Sequence, residues 1–406
     1  MENRQSFFLN VKGDKIIWII VLFLCSISIV SVYSSSSSLA YQAGKSTLFF
    51  LLQQMRFVIF GVTALYICYK IPLGWYRMLA YFGILFSIFL LAATLIVGSK
   101  INDAGRWIRI LGISFQPAEI AKIAVILYLA KIMEDRPLDS FKEFFYWVII
   151  PISLVLLLIL YGSISTGLLL GGVSALILII VGVKWKHLFK TTLIGVAVLG
   201  LIVLLNLSFG LFPRVDTAIS RIKSFTTEQT IDENSTPAQI QKHLDKTYQA
   251  KMAKVAVASS HIFGKGPGNS TQRNLLPHPY SDFIYAIIIE EWGLIGGIFI
   301  LVLYIFFFTR CVILAKACTT TFTSVMVMGL ALLITSQAML HISVNLGLLP
   351  VTGHTLPLVS LGGTSLVIMS GAFGMILSVS RTIEVVKKRE ENSDEQEHIE
   401  EKEVQE

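Results

Sequence analysis

The sequence predicts an all-α integral membrane protein with ten transmembrane helices and a long extracytoplasmic loop between the seventh and the eighth. Three observations carry that prediction. Of the 406 residues, 54% are hydrophobic and only 15% charged, at a mean hydropathy of +0.71, whereas about a quarter of residues are charged in soluble domains. Ten apolar stretches approach the length needed to cross a bilayer, which is about 20 residues. Basic residues recur in alternate short connections, as they do when those connections stay in the cytoplasm. A water-soluble enzyme, a disordered chain and a nucleic-acid-binding module are thereby excluded as descriptions of the whole. The formal net charge of +7 and the pI near 9.1 belong to membrane-facing loops and imply no nucleic-acid partner.

The ten stretches lie near 15–33, 48–69, 76–98, 117–133, 144–162, 164–183, 189–212, 283–308, 322–345 and 361–381. The first is long for a signal peptide and leads into a serine run rather than a small-residue cleavage motif, so it is expected to be retained. The fourth is the weakest, because Pro117 opens it and Glu119 and Lys122 interrupt it. With ten spans, Arg4, Lys12 and Lys15 fall on the same side as Lys70 and Arg77, Lys131 to Lys142, Lys184 to Lys190, Arg310 and Lys316, and Lys387 to Arg389. Both termini are then cytoplasmic in a multi-pass protein of the cytoplasmic (inner) membrane, and segments 100–116, 213–281 and 346–360 lie outside. Segment 100–116 breaks the trend by carrying Lys100, Arg106 and Arg109 outside, and an anionic ligand is one reason for that. Residues 1–386 form the membrane domain; 387–406, acidic and without aromatic residues, are expected to be a disordered cytoplasmic tail. The cysteines Cys25, Cys68, Cys311 and Cys318 lie in or beside apolar stretches, so no disulfide framework is implied.

No nucleotide-binding loop, nucleophile elbow or zinc-spaced His or Cys pair is present. The run Gly264-Lys265-Gly266-Pro267-Gly268-Asn269 is either a tight turn in an external loop or a backbone nest for a phosphate. Glu119 and Lys122, three residues apart, share a helix face and form either a local ion pair or a ligand-facing one. Glu290 and Glu291 are adjacent near the start of the eighth span, so at most one faces a given partner. The densest cluster runs from Leu276 to Tyr285 and contains His278 and Asp282. At the mouth of a helix, Asp282 is either an N-cap or a carboxylate able to act as a general base at the outer membrane surface.

These residues fall into an ordered set: Gly105-Arg106-Trp107-Ile108; Gln116-Pro117-Ala118-Glu119 with Lys122; Leu276-Pro277; Asp282-Phe283-Ile284; Glu290-Glu291-Trp292-Gly293; Asn345-x-Gly347; Pro350-Val351-Thr352-Gly353; Leu356-Pro357; and Ser360-Leu361-Gly362-Gly363-Thr364-Ser365. The set resembles the SEDS family of shape, elongation, division and sporulation proteins (FtsW, RodA, SpoVE) over nearly the whole chain. Within it, the short loops, acidic tail and the 265–273 stretch look most like the FtsW branch of Bacteroidetes-type bacteria. One departure is Tyr161-Gly162-Ser163-Ile164-Ser165-Thr166, where many relatives carry Gln-Pro-Asp-Leu-Gly-Thr, which removes any acid needed there.

The resemblance implies a peptidoglycan glycosyltransferase that polymerises lipid II into polyprenyl-linked glycan at the outer face of the membrane, at the division septum if the FtsW likeness holds. It implies Asp282 as general base, with Arg106, Arg109 and Lys122 at the departing pyrophosphate. Further substrate contacts are expected at Glu119, Lys265, Asn269, His278, Glu290, Thr352, Ser360, Thr364 and Ser365. No metal ligand set and no cofactor is named, and a divalent cation stays open. The implied partners are a class B penicillin-binding transpeptidase of the FtsI type and other division proteins. Phe299, Leu303 and Phe307 on the eighth span, beside the ninth, are the expected contacts. Two competing functions are a lipid II flippase, which needs a polar route to the cytoplasm, and a non-catalytic division scaffold.

Overall fold

A computed structural model describes residues 12–37, 40, 44–97, 99–101, 104–110, 113–210, 216, 219–220, 248–249, 251–276 and 279–405. Most of the 213–281 loop expected outside, together with His278, lies outside the described residues.

Among the described residues, ten long helices carry the fold. They are α1 Lys15–Ser35, α2 Thr47–Lys70, α3 Leu73–Val97, α4 Pro117–Asp135, α5 Phe141–Gly162, α6 Ile164–Val181, α7 Trp185–Phe209, α8 Ile284–Lys316, α9 Thr321–Asn345 and α10 Thr364–Gln405. Local chemistry sets several starts: the Asp14 carboxylate accepts from the amides of Ile16 and Ile17, Ser163 caps α6 and Thr320 caps α9, and Pro117 opens α4 where no amide is needed. A π-turn over Phe145–Ile149 inside α5 precedes Pro151, which lacks the amide that a regular turn would use.

Nine of the ten, among the described residues, are long and apolar enough to cross a membrane. The exception, α4, carries Glu119, Lys122, Lys131, Glu134 and Asp135. Its 19 residues extend about 28 Å at 1.5 Å per residue, and Ala121, Lys122, Val125, Ile126, Leu129 and Ala130 are wholly buried. It is an inner helix, wrapped by α3, α6 and α9, so Glu119 and Lys122, the charges buried in it, meet protein rather than lipid.

Three features depart from the sequence-based expectation. Between α3 and α4 a small antiparallel meander, β1 Ser99–Ile101, β2 Ala104–Ile110 and β3 Ile113–Phe115, stands in a fold expected to be all-α. The last helix continues through the acidic stretch to Gln405, in keeping with the helix propensity of Glu, Lys and Gln. The helix of the eighth span, expected over 283–308, runs from Ile284 to Lys316 and is broken. Gly293, at φ 75° and ψ −174°, breaks α8 into a short outer half and a longer inner half. The two halves fold toward each other, since the Tyr285 hydroxyl donates to the Gly297 carbonyl twelve residues on. The inner half, 294–316, is long enough to cross by itself: 23 residues make about 34 Å.

A break in a helix frees backbone groups that hydrocarbon cannot satisfy. Here the segment 261–266 satisfies four of them. The amides of Leu294 and Ile295 donate to the carbonyls of His261 and Ile262, and the amides of Lys265 and Gly266 donate to the carbonyls of Glu290 and Glu291, at 2.9 to 3.4 Å. Two backbones can approach this closely only where neither carries a side chain, and Gly264 and Gly293 face each other at that point.

The expected partner face also changes. Leu303 and Phe307 are core residues, 8% and 0% exposed, and only Phe299 faces outward. Steps of four residues drift by about 40° each, so 299, 303 and 307 wind from surface to core. The exposed stripe is Ile295, Ile298, Val302 and Phe306, and α9 lies mostly inside the bundle.

Candidate active site

Asp282 is half-buried on the connection that enters α8. The N-cap of that helix is Phe283. The third helical amide, Ala286, which a capping side chain commonly takes, donates instead to Asn345 Oδ1 at the end of α9, at 3.0 Å. Capping of α8 is thus supplied from another helix. The backbone around Asp282 is clamped: the carbonyl of Tyr280 accepts from the Leu361 amide at 3.0 Å, that of Ser281 from Ser360 Oγ at 2.8 Å, and that of Asp282 from Asn345 Nδ2 at 3.1 Å. The same 346–363 loop brings Gly353 beside the carboxylate, where an added Cβ would lie 3.7 Å from Asp282 Oδ2. Burial first, then the Asp282 charge, pushes the Tyr280 phenol above its usual range.

Below this loop a buried polar chain joins three helices. Lys122 Nζ lies 2.8 Å from Glu119 Oε1 and donates to Gln337 Oε1 of α9 at 2.7 Å. Ser365 of α10 donates to Glu119 Oε2 at 3.0 Å, and Gln337 Nε2 donates to the carbonyl of Thr355 at 3.0 Å. Lys122 is wholly buried and held by protein acceptors, so the expectation that it meets a departing pyrophosphate is corrected: it and Glu119 tie α4 to α9, α10 and the loop.

A buried charge whose partner is removed costs about 3–5 kcal/mol, whereas a pair replaced together by neutral groups is often tolerated. Lys122→Met is therefore expected to lower the thermal midpoint in detergent far more than the double variant Glu119→Gln/Lys122→Met. A single variant as stable as the wild type would refute this account of the pair.

Lys265 and the residues just after the glycine-rich run bind a carboxylate of the same chain. The Glu290 carboxylate, wholly buried, accepts from Lys265 Nζ at 2.6 Å, the Thr271 hydroxyl at 2.8 Å, the amides of Thr271 and Gln272 at 3.1 and 3.3 Å, and the Ser270 hydroxyl. Asn269 Nδ2 donates to the Lys265 carbonyl at 3.1 Å. Lys265, Asn269 and Glu290, expected to touch substrate, here fasten the segment 265–272 to the outer half of α8. Next to them Glu291 accepts from Ser34 of α1, with Arg273 Nη1 at 3.9 Å.

Of the remaining expected residues, Thr352 and Ser360 share the Asp282 loop. Ser165, from the segment lacking the acid of many relatives, donates to the Thr352 carbonyl at 3.2 Å. Thr364 donates to the Ser114 carbonyl at 3.2 Å and so ties α10 to the sheet that carries exposed Arg109. The side chain of Arg106, on β2, lies outside the described residues. Sequence reasoning assigned no role to Gln337, Asn345 or Arg273; Asn345 and Arg273 stood within recognised stretches, and Gln337 had no local pattern to mark it. Among the described residues no group of three or more His, Cys, Asp or Glu side chains could hold a metal.

The family model for the cell cycle proteins FtsW, RodA and SpoVE matches residues 14–384. The chain belongs to this family. Stage V sporulation protein E of Bacillus subtilis is 32% identical to this FtsW/RodA/SpoVE member over 378 residues, 92% of this chain and 98% of the relative. A protein of Trichlorobacter lovleyi named probable peptidoglycan glycosyltransferase FtsW is 30% identical over 389 residues, 94% and 96% of the two chains. Among solved structures, a chain of a peptidoglycan synthase complex, described for its structural coordination of polymerization and crosslinking, superposes with a TM-score of 0.67 at 25% identity, covering 91% of this chain and 98% of that one. RodA of Thermus thermophilus shares the fold, with a TM-score of 0.64 at 24% identity over 91% and 97%.

Proposed function

We propose that the chain is a peptidoglycan glycosyltransferase that polymerises lipid II at the outer face of the cytoplasmic membrane, with Asp282 as the general base. The observation that carries this reading is the held backbone of Asp282: a carboxylate on a clamped connection, next to Gly353, with the Ala286 amide of the helix start taken by Asn345. In the proposed step the carboxylate takes the proton of the acceptor sugar hydroxyl. The freed oxygen bonds to the anomeric carbon of the donor, and the bond from that carbon to the polyprenyl pyrophosphate breaks. Arg109, and Arg106 on the same strand, supply positive charge for the departing pyrophosphate. The names of the FtsW relatives support the reaction class. The flippase alternative needs an open polar route to the cytoplasm, and the buried charges that would form one are satisfied by Gln337 and Ser365. Incubating purified protein and its transpeptidase partner with lipid II should yield glycan strands; lipid II moved across vesicles without polymer would favour the flippase.

The reading includes ten crossings, α4 among them, cytoplasmic termini and an external 213–281 loop. A cysteine introduced at Ser235 should react with an impermeant thiol reagent from outside, and labelling from the cytoplasm alone would reverse the topology. For the partner, we assign the membrane helix of a class B transpeptidase to the exposed stripe Ile295, Ile298, Val302 and Phe306. Co-purification should fail when Ile298 and Val302 are replaced by lysine, and its survival would clear this face of the role.

A further inference from the structure

We infer that Asn345 and Ser360 are positioning residues: they hold the peptide that carries Asp282 and so fix where its carboxylate meets the acceptor hydroxyl. The inference rests on Asp282 being the base, as proposed above.

Asn345 is wholly buried, and its carboxamide is fully used. Oδ1 accepts from the Ala286 amide at 3.0 Å, and Nδ2 donates to the carbonyls of Asp282 and His341 at 3.1 and 2.9 Å. One acceptor site bearing a donor and two N–H groups bearing acceptors is the inventory of an amide. An aspartate of the same shape would turn an oxygen toward two carbonyl oxygens. Ser360, also buried, donates to the Ser281 carbonyl and accepts from the Leu356 amide, both at 2.8 Å.

Capping explains only part of this. A cap requires the bond to Ala286 and nothing more. The carbonyls of Tyr280, Ser281 and Asp282 precede the helix, have no place in its ladder, and belong to a surface connection whose carbonyls water ordinarily serves. Each has instead its own protein donor, drawn from α9 or from the 346–363 loop. The same loop places Gly353 beside the carboxylate, so one element both fixes the backbone and lies next to the reacting group. Such rigidity matters for a catalytic group, because a displacement of about 1 Å can cost about a hundredfold in rate.

The test measures lipid II polymerisation by the protein with its transpeptidase partner, across pH and per folded molecule. Asn345→Asp is expected to lower kcat about tenfold or more, to leave KM within about twofold, and to move the acid limb of the pH profile. Ser360→Ala should act in the same direction by about threefold, and it decides the matter if Asn345→Asp does not accumulate. A reduced yield of folded protein with wild-type kcat and acid limb in these variants overturns the inference. Asp282→Asn, run in parallel, separates the failures. If it is inactive while the other two turn over normally, only the positioning role is lost; if it polymerises, the base assignment falls and takes this inference with it.

Discussion

Replacing Gly293 with alanine is expected to abolish accumulation of folded protein. The new Cβ would lie 2.1 Å from the Ile262 carbonyl oxygen and 2.5 Å from the Gly264 amide nitrogen, and both are backbone atoms that cannot rotate aside. The conformation itself, φ 75° and ψ −174°, is one that residues with a side chain adopt at a cost of about 1–3 kcal/mol. Relief requires the strap to retreat, which breaks hydrogen bonds that bridge the broken helix. Each such bond contributes about 0.5–1.5 kcal/mol, and an unsatisfied buried group costs about 1–3 kcal/mol. The sum passes the ~4–5 kcal/mol that marks an exceptional single substitution. Gly264→Ala should behave alike, because its Cβ would lie 2.4 Å from the Glu291 carbonyl oxygen and the Gly293 nitrogen. Gly195→Ala in α7 is the control, with nothing within 4 Å of the added carbon. Size-exclusion profiles after heating in detergent read all three. A Gly293→Ala protein that melts with the wild type would mean that α8 is not broken there.

Each of the ten apolar stretches falls in a helix among the described residues, nine of them apolar enough to cross a membrane, where helices alone satisfy every polar group within one segment. The stretch 48–69 is Thr47–Lys70 and the stretch 164–183 is Ile164–Val181. The break in α8 was hidden in the same apolar signal. Gly293 reads no differently from Gly296 or Gly297, and what sets it apart is the strap contributed by residues 261–266. The meander escaped notice because strands of three to seven residues leave too little alternation to read. Adjacent carboxylates in an apolar run looked like ligands at Glu290 because the groups that satisfy it, Ser270, Thr271 and Lys265, sit 19 to 25 residues earlier. Asp282 was legible as a chemical candidate from its place in a motif. The partner that relieves it of capping, Asn345, is 63 residues away, and only folding brings the two together.

Asp282→Asn isolates the central claim. An asparagine keeps the size of the side chain, and as an N-cap it is roughly equal to aspartate. The helix start would also be spared because Ala286 is served by Asn345. Folding, thermal stability and binding to the transpeptidase should therefore match the wild type. An amide cannot take the proton of the acceptor hydroxyl, and loss of a general base costs about 10²–10⁴ in rate. The decisive measurement is the initial rate of glycan strand formation from lipid II by the purified complex, wild type against Asp282→Asn. The account predicts strands from the wild type and a rate of about 1% or less from the folded variant. A folded Asp282→Asn complex that keeps more than about a tenth of the wild-type rate, less than the loss a base entails, would contradict it.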